Sequence, residues 1–187
     1  MDGIRGAIAR LSADLTPGQA IDVSANPLYG LGFNSRTQML YGTATRSGSV
    51  GVVDVRTGRL VATIKDGDDD SAHVREVIVD EARNKAYVTV VGGEANDASR
   101  PNQIWVVDGA TNTLERKIAA PVGGLTGAAL DARNNRLFVT GMSSNDVGVI
   151  DLSTGQSAGT WPTGSEKPTN VAFDARGNLS LIHISEP

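Results

Sequence analysis

Three polar residues at the start of one predicted strand are the best candidates for binding a ligand: His73, Arg75 and Glu76. An arginine binds carboxylates and phosphates through its guanidinium group, while histidine and glutamate exchange hydrogen bonds with polar ligands. An ion pair between Arg75 and Glu76 would use the same side chains without any ligand. We therefore predict a ligand site at these three residues, with pairing of Arg75 and Glu76 as the alternative.

Patterns typical of catalysis or metal binding are poorly represented. The sequence has no cysteine and only two histidines, which leaves little basis for a transition-metal site or a Ser-His-Asp triad. The acidic run Asp66–Asp70 gathers carboxylates, but it lacks the alternating spacing and the distant glutamate of a calcium-binding loop. We predict a solvated acidic loop there, and no catalytic residue, metal ion or cofactor.

Composition restricts the class of protein. The chain has 187 residues, enough for one ordinary domain, and its charged fraction of 20% with 40% hydrophobic residues is typical of a folded globular protein. The net charge of −4 gives no overall basic surface for nucleic acid, although it leaves room for a local basic patch. No apolar run approaches the roughly 20 residues that span a bilayer. Residues 1–11 lack the apolar core of a signal peptide.

Short apolar segments separated by turn residues recur along the chain and predict β-strands. In three successive units, an aromatic residue lies seven positions after the residue that begins the first turn. The third strand of each unit ends in an aspartate, with threonine three positions later and glycine or asparagine four positions later. These aspartates are Asp54, Asp108 and Asp151. Four strands repeated about every 40–45 residues are the pattern of a β-propeller blade.

The sequence therefore predicts an all-β fold, a partial β-propeller of four-stranded antiparallel blades. For residues 4–15, a helix remains an alternative to a strand because the apolar spacing is loosely amphipathic. The predicted units are the end of a blade at residues 1–25, blades at 26–67, 68–124 and 125–164, and the start of another blade at 165–178. The 68–124 blade carries an insertion at residues 92–102.

In a propeller, the first strand of each blade lines the central channel. The residues at the starts of these inner strands can therefore reach one ligand together. This places the predicted site at the channel face, where Thr126, Thr169 and Asn170 also start later inner strands. They would either face the channel or bond neighbouring backbone. Trp105 lies in a strand that is apolar on both faces and is predicted to pack between blades rather than to stack on a ligand.

Several segments resemble the YVTN-repeat β-propellers, and in particular the YncE-like group of bacterial envelope proteins. The resemblance is carried by KAYVT at 85–89, RLFVT at 136–140, and the segments VVDVRTG, VVDGATN and VIDLSTG. It covers about residues 7–178. It implies a seven-bladed propeller, of which this chain would be a fragment of about half, and a periplasmic or secreted location. Residues 179–187 leave the repeat phase and look like a sequencing-adapter read-through, so we predict an artefactual tail there.

The predicted function is a non-catalytic binding or scaffold module of the bacterial cell envelope. Its ligand would be an unidentified protein or small molecule at the channel face. One alternative is a propeller enzyme, lactonase-like or quinoprotein dehydrogenase-like, which would require convergent ligands on the propeller face. Another is binding of single-stranded nucleic acid, which requires basic residues gathered with exposed aromatic rings. Arg46, Arg75 and Arg100 are the candidates for that role.

Overall fold

The computed structural model describes residues 7–8, 18, 20–22, 28–67, 71–95, 97–164, 166–174, 176 and 179–184. Within these residues the chain forms sixteen strands and one short 3-10 helix, Thr45–Ser47. None of the helical structure seen in this part of the chain is long and apolar enough to cross a membrane. The predicted all-β fold class is confirmed.

The strands form antiparallel sheets in chain order. Three sheets have four strands each. The first contains β3 (Leu31–Asn34), β4 (Met39–Ala44), β5 (Ser49–Asp54) and β6 (Arg59–Ile64), and the second contains β7 (His73–Asp80), β8 (Lys85–Val91), β9 (Gln103–Asp108) and β10 (Thr113–Ala119). The third contains β11 (Leu125–Asp131), β12 (Arg136–Gly141), β13 (Asp146–Asp151) and β14 (Gln156–Pro162). Two further sheets have two strands each, β1 (Ala7–Ile8) with β2 (Ile21–Asp22), and β15 (Pro168–Asp174) with β16 (Leu179–Ile184). Each four-stranded sheet is an up-and-down meander, and the sheets are arranged as the blades of a partial propeller.

The turn between the third and fourth strands has the same hydrogen bonding and backbone geometry in all three blades. Each aspartate accepts a hydrogen bond from the backbone N–H two residues later, at 2.9 Å for Asp54, 2.7 Å for Asp108 and 2.7 Å for Asp151. The residue four positions after the aspartate has a positive φ, as expected for a tight hairpin. These residues are Gly58 (67°), Asn112 (55°) and Gly155 (71°).

The core lies between the blades, because alternate residues of a strand face opposite sides of its sheet. Strand β9 shows this directly. Trp105 and Val107 belong to an apolar cluster shared with the first blade, whereas Ile104 and Val106 belong to one shared with the third blade. This confirms the predicted packing of Trp105 between blades and explains why the third strands are apolar on both faces.

The inner strands lie side by side. Strand β3 contacts β7, β7 contacts β11, and β11 contacts β15, whereas the outermost strands β6, β10 and β14 are largely exposed. The starts of the inner strands therefore meet on one face, which we call the start face. Because the strands are antiparallel, the β4–β5 and β8–β9 connections lie at this same end of their blades.

Two predictions concern the ends of the chain. Ala7 and Ile8 form a strand, and the other residues of the 4–15 segment lie outside the described residues. The predicted tail begins with β16, which pairs with β15, while residues 185–187 lie outside the described part of the chain. The blade boundaries and the artefactual origin of the tail stay predictions.

Candidate functional site

A buried threonine in the second strand of each complete blade holds the start of the inner strand. Thr43, Thr89 and Thr140 have no exposed surface, and each hydroxyl oxygen accepts a hydrogen bond from a backbone N–H in the inner strand or directly before it. The donors are Gly30 (2.8 Å), Glu76 (2.9 Å) and Gly127 (2.9 Å), respectively. These three donors therefore occupy equivalent positions at the start face. Only the middle one carries a side chain.

Threonine hydroxyls also join neighbouring blades. Thr43 donates a hydrogen bond of 2.5 Å to the carbonyl oxygen of Arg75 in the next blade. Thr126 is buried, and its hydroxyl lies 3.0 Å from that of Thr140 and 3.3 Å from the carbonyl oxygen of Pro168 in β15. Of the two roles considered for Thr126, the structure therefore shows hydrogen bonding to neighbouring backbone.

Arg75 lies against an aromatic ring of the preceding blade. Its guanidinium carbon lies 5.6 Å from the centre of the Tyr29 ring, and its Nη2 donates a hydrogen bond of 3.4 Å to the Tyr29 hydroxyl. This is the geometry of a cation–π interaction. Tyr29 is 67% exposed and Arg75 is half-buried, so the pair forms part of the start face.

Glu76 contacts the following blade instead. Its side chain is half-buried, and Oε2 accepts a hydrogen bond of 3.2 Å from the backbone N–H of Ala128 in β11. Burial raises the pKa of Glu76 above the ordinary carboxyl value, and the Ala128 hydrogen bond and the charge of Arg75 offset this only in part. No ion pair among the described residues joins Arg75 to Glu76. The two neighbours in sequence thus contact opposite blades.

Replacing Glu76 with glutamine should make the free energy of unfolding less dependent on pH. The folded state holds the Glu76 proton more tightly than the unfolded chain does. Stability is therefore greatest below the ordinary carboxyl pKa and declines as pH rises through the window up to the raised folded-state pKa. Glutamine removes this decline and keeps an oxygen for the Ala128 N–H. We expect the stability of E76Q relative to the parent protein to increase as pH rises above the ordinary carboxyl pKa, measured by urea denaturation at a series of pH values.

Glu81→Gln provides the matched control for this prediction. Hydrogen bonds from the backbone N–H and the hydroxyl of Ser35 hold the pKa of Glu81 below the ordinary carboxyl value. Its contribution to stability is therefore present above that value and is lost as pH falls through the lowered pKa. E81Q should change the pH profile in the opposite direction. Parallel profiles for the parent protein and E76Q would contradict the assignment.

His73 lies apart from Arg75 and Glu76, in a cavity at the start face. It is exposed and lines a cavity of about 470 Å³, together with the end of β8, the start of β9 and part of the insertion. The described lining includes neither Arg75 nor Glu76. The structure therefore splits the predicted site into a central part, formed by Tyr29, Arg75 and Glu76, and a cavity that contains His73. Their role in binding a ligand stays a prediction.

The acidic run is only partly described. Asp66 forms an ion pair of 2.6 Å with Lys117 of β10, whereas Asp68–Asp70 lie outside the described residues. Among the residues that the structure describes, no group of three or more His, Cys, Asp or Glu is placed to hold a metal ion.

Sequence reasoning missed Tyr29 and the three buried threonines. Tyr29 precedes β3 and carries no repeat signal, so nothing in its local sequence marked it as the partner of Arg75. The three threonines could have been found, because each lies two positions after the aromatic residue of its blade. A hydroxyl recurring at a buried strand position indicates a backbone group that needs a hydrogen-bond partner.

Comparison with known proteins shows relatives but no matching family model. The chain is 34% identical to YncE of Salmonella typhi over 128 residues, which is 65% of this chain and 34% of that protein. It is 32% identical to YncE of Escherichia coli K12 over 142 residues, which is 72% of this chain and 38% of that protein. Both relatives are described as uncharacterized. The matched region spans only about a third of the length of these curated relatives.

Proposed function

We propose that this chain is part of a YVTN-repeat β-propeller that binds a ligand without catalysis. The basis is its sequence similarity to YncE, which supports a YncE-like family. The protein would act as a binding or scaffold module of the bacterial cell envelope, in the periplasm or outside the cell. The ligand would bind at the start face, where Arg75 and Glu76 lie between neighbouring blades.

The observation that carries this proposal is that the guanidinium of Arg75 has hydrogen-bond donors left over and no carboxylate partner among the described residues. A guanidinium group has five N–H donors, and one of them is used by the Tyr29 hydroxyl. No carboxylate among the described residues pairs with Arg75, although Glu76 is its neighbour in sequence. The Tyr29 ring holds the cation at the start face with donors left for an acceptor. A ligand with a carboxylate or phosphate group would complete this arrangement.

Single-stranded nucleic acid is a second candidate, favoured by the exposed ring of Tyr29. Such binding combines basic groups, which meet phosphates, with aromatic rings on which bases stack. Tyr29 and Arg75 provide one such pair. Arg46 in the β4–β5 connection and Arg100 in the β8–β9 connection are exposed at the same end of their blades. All three arginines proposed from the sequence therefore belong to the start face.

The test uses single alanine variants of Tyr29, Arg75 and Glu76, and the double variant of Arg75 and Glu76. Arg83→Ala is the matched control, because Arg83 lies in the β7–β8 turn at the opposite end of the blade and pairs with Asp80. The probes are a fluorescein-labelled oligothymidylate, followed by anisotropy, and a panel of small organic anions, followed by their effect on Tm. We expect Arg75→Ala to weaken binding about tenfold or more, because a charge-assisted hydrogen bond is lost.

The variants separate the candidates. Oligothymidylate binding that is lost in both Tyr29→Ala and Arg75→Ala but kept in Arg83→Ala would support nucleic acid as the ligand. A small anion that stabilises the parent protein and Arg83→Ala, but not Arg75→Ala, would support small-molecule binding. Lowered Tm with unchanged binding in the Arg75 and Glu76 variants would make these residues structural and overturn the proposed site.

A further inference from the structure

One buried side chain closes the base of the insertion between β8 and β9, which lies at the start face. Asn102 is 4% exposed. Its Oδ1 accepts hydrogen bonds from the N–H groups of Gly92 (2.8 Å) and Leu125 (2.9 Å), and its Nδ2 donates one to the carbonyl oxygen of Gly93 (2.8 Å). A single amide thus joins both ends of the insertion and ties them to the first residue of β11.

The tip of the insertion is held by a second set of hydrogen bonds. The N–H of Gly93 donates to the carbonyl oxygen of Arg100 at 2.7 Å, and the N–H of Arg100 donates to that of Asp97 at 3.2 Å. Oδ1 of Asp97 accepts hydrogen bonds from the N–H (2.9 Å) and the hydroxyl (2.5 Å) of Ser99. These bonds fix the segment from Ser99 to Pro101, which forms one wall of the His73 cavity.

The cavity has the size of a small-molecule site. Its volume of about 470 Å³ lies within the range of about 300–1,000 Å³ common for ligand pockets. Val90, Pro101 and Trp105 are apolar lining residues, of which Pro101 is exposed, while His73, Arg100 and Gln103 contribute polar groups. Trp105 is 1% exposed, and its buried indole Nε1 has no hydrogen-bond partner, which is uncommon for a buried donor.

The charged groups of the described cavity lining favour an anion. Asp66 contributes the carboxylate of the described lining, and Lys117 already neutralises it at 2.6 Å. Arg100 is exposed and forms no ion pair with any described residue. Among the described lining residues, the Arg100 guanidinium is therefore the charged group without an ion-pair partner.

We propose that this cavity binds a small organic anion, namely a carboxylate carried on a compact apolar body. The carboxylate accepts hydrogen bonds from Arg100, and the body packs against the apolar surface of Val90, Pro101 and Trp105. The site is separate from the one at Arg75 and exists in the blade that carries the insertion. Binding in the cavity therefore does not depend on a ligand between the blades.

Benzoate and its neutral analogue benzamide provide the test. In a Trp161→Phe background, emission from Trp105 alone reports the cavity, because the chain has two tryptophans. We expect benzoate to change this emission saturably, benzamide to bind at least tenfold more weakly, and Arg100→Ala to weaken benzoate binding at least tenfold. Arg83→Ala is the control for loss of an exposed arginine. Equilibrium dialysis with labelled benzoate measures binding independently of fluorescence.

The proposal is overturned if benzoate shows no saturable binding by dialysis, if benzamide binds equally well, or if Arg100→Ala binds like the parent protein. Arg75→Ala distinguishes this site from the proposed function. Benzoate binding should persist in Arg75→Ala, whereas its loss there would assign the anion to the central site instead. The side chain of Arg100 is exposed, so its replacement should leave Tm close to that of the parent protein.

Discussion

Replacing Trp105 with alanine should lower the free energy of unfolding by about 3–5 kcal/mol. The indole is 1% exposed and lies in an apolar cluster with Tyr41, Val50 and Val52 of the preceding blade. Alanine would leave a large void between two sheets, and the rigid strands on either side can fill it only in part. Since small domains are typically stable by about 5–15 kcal/mol, this loss would be a large share of the total stability.

Urea denaturation followed by circular dichroism measures this effect, since the substitution removes a fluorophore. Trp105→Phe is the matched variant. It keeps an aromatic ring and removes the unpartnered indole N–H, so its loss of stability should be much smaller. Trp161→Ala controls for loss of a tryptophan, because Trp161 is 54% exposed. Equal losses for Trp105→Ala and Trp161→Ala would contradict the assignment of Trp105 to the core between blades.

Gly30→Ala should destabilise the protein by about 1–3 kcal/mol and displace Arg75. A Cβ atom on Gly30 would lie 2.1 Å from the carbonyl oxygen of Arg75 and 3.0 Å from Oγ1 of Thr43. That carbonyl oxygen also accepts the hydrogen bond from Thr43 that joins the first two blades. The added methyl group must therefore separate the blades at the start face. Thermal denaturation measures the loss of stability, and oligothymidylate or anion binding reports the displacement of Arg75.

Gly51→Ala is the control for Gly30→Ala. Neither glycine has a left-handed backbone, so alanine introduces no conformational strain at either position. At Gly51 the nearest side-chain atom is Cδ1 of Leu60, 3.3 Å away, on a side chain that is 53% exposed and free to adjust. We expect Gly51→Ala to remain close to the parent protein in both measurements. A Gly30→Ala variant with parental stability and binding would show that the blades do not approach as closely as described.

Local chemistry explains why much of the fold could be predicted. The carboxylate of Asp108 reaches the N–H of Ala110 within its own turn, and Asn112 adopts the left-handed backbone that closes it. Such contacts join residues two to four positions apart, so the sequence contains all their participants. The alternation in β9 likewise follows from strand geometry, which directs Ile104 and Trp105 to opposite faces wherever the strand is placed.

The candidate site could be predicted only in part, because its contacts join residues far apart in sequence. The sequence offers an ion pair between Arg75 and its neighbour Glu76 as the alternative to a ligand site, yet adjacent strand residues face opposite sides and these two contact different blades. Arg75 instead meets Tyr29, 46 positions away, and Glu76 meets Ala128, 52 positions away. Arg100 lines the same cavity as His73 because Asn102 holds the two ends of the insertion together.

The sequence by itself determined the repeated four-stranded unit, its turns and the apolar faces that must be covered, since each depends on short-range geometry and on the two-residue period of a strand. Tertiary structure decided which polar groups meet at the start face, because the stacking of neighbouring sheets sets those distances. The same stacking leaves Arg75 without a carboxylate partner among the described residues and the indole N–H of Trp105 without a hydrogen-bond partner. Both proposed binding sites arise from that arrangement.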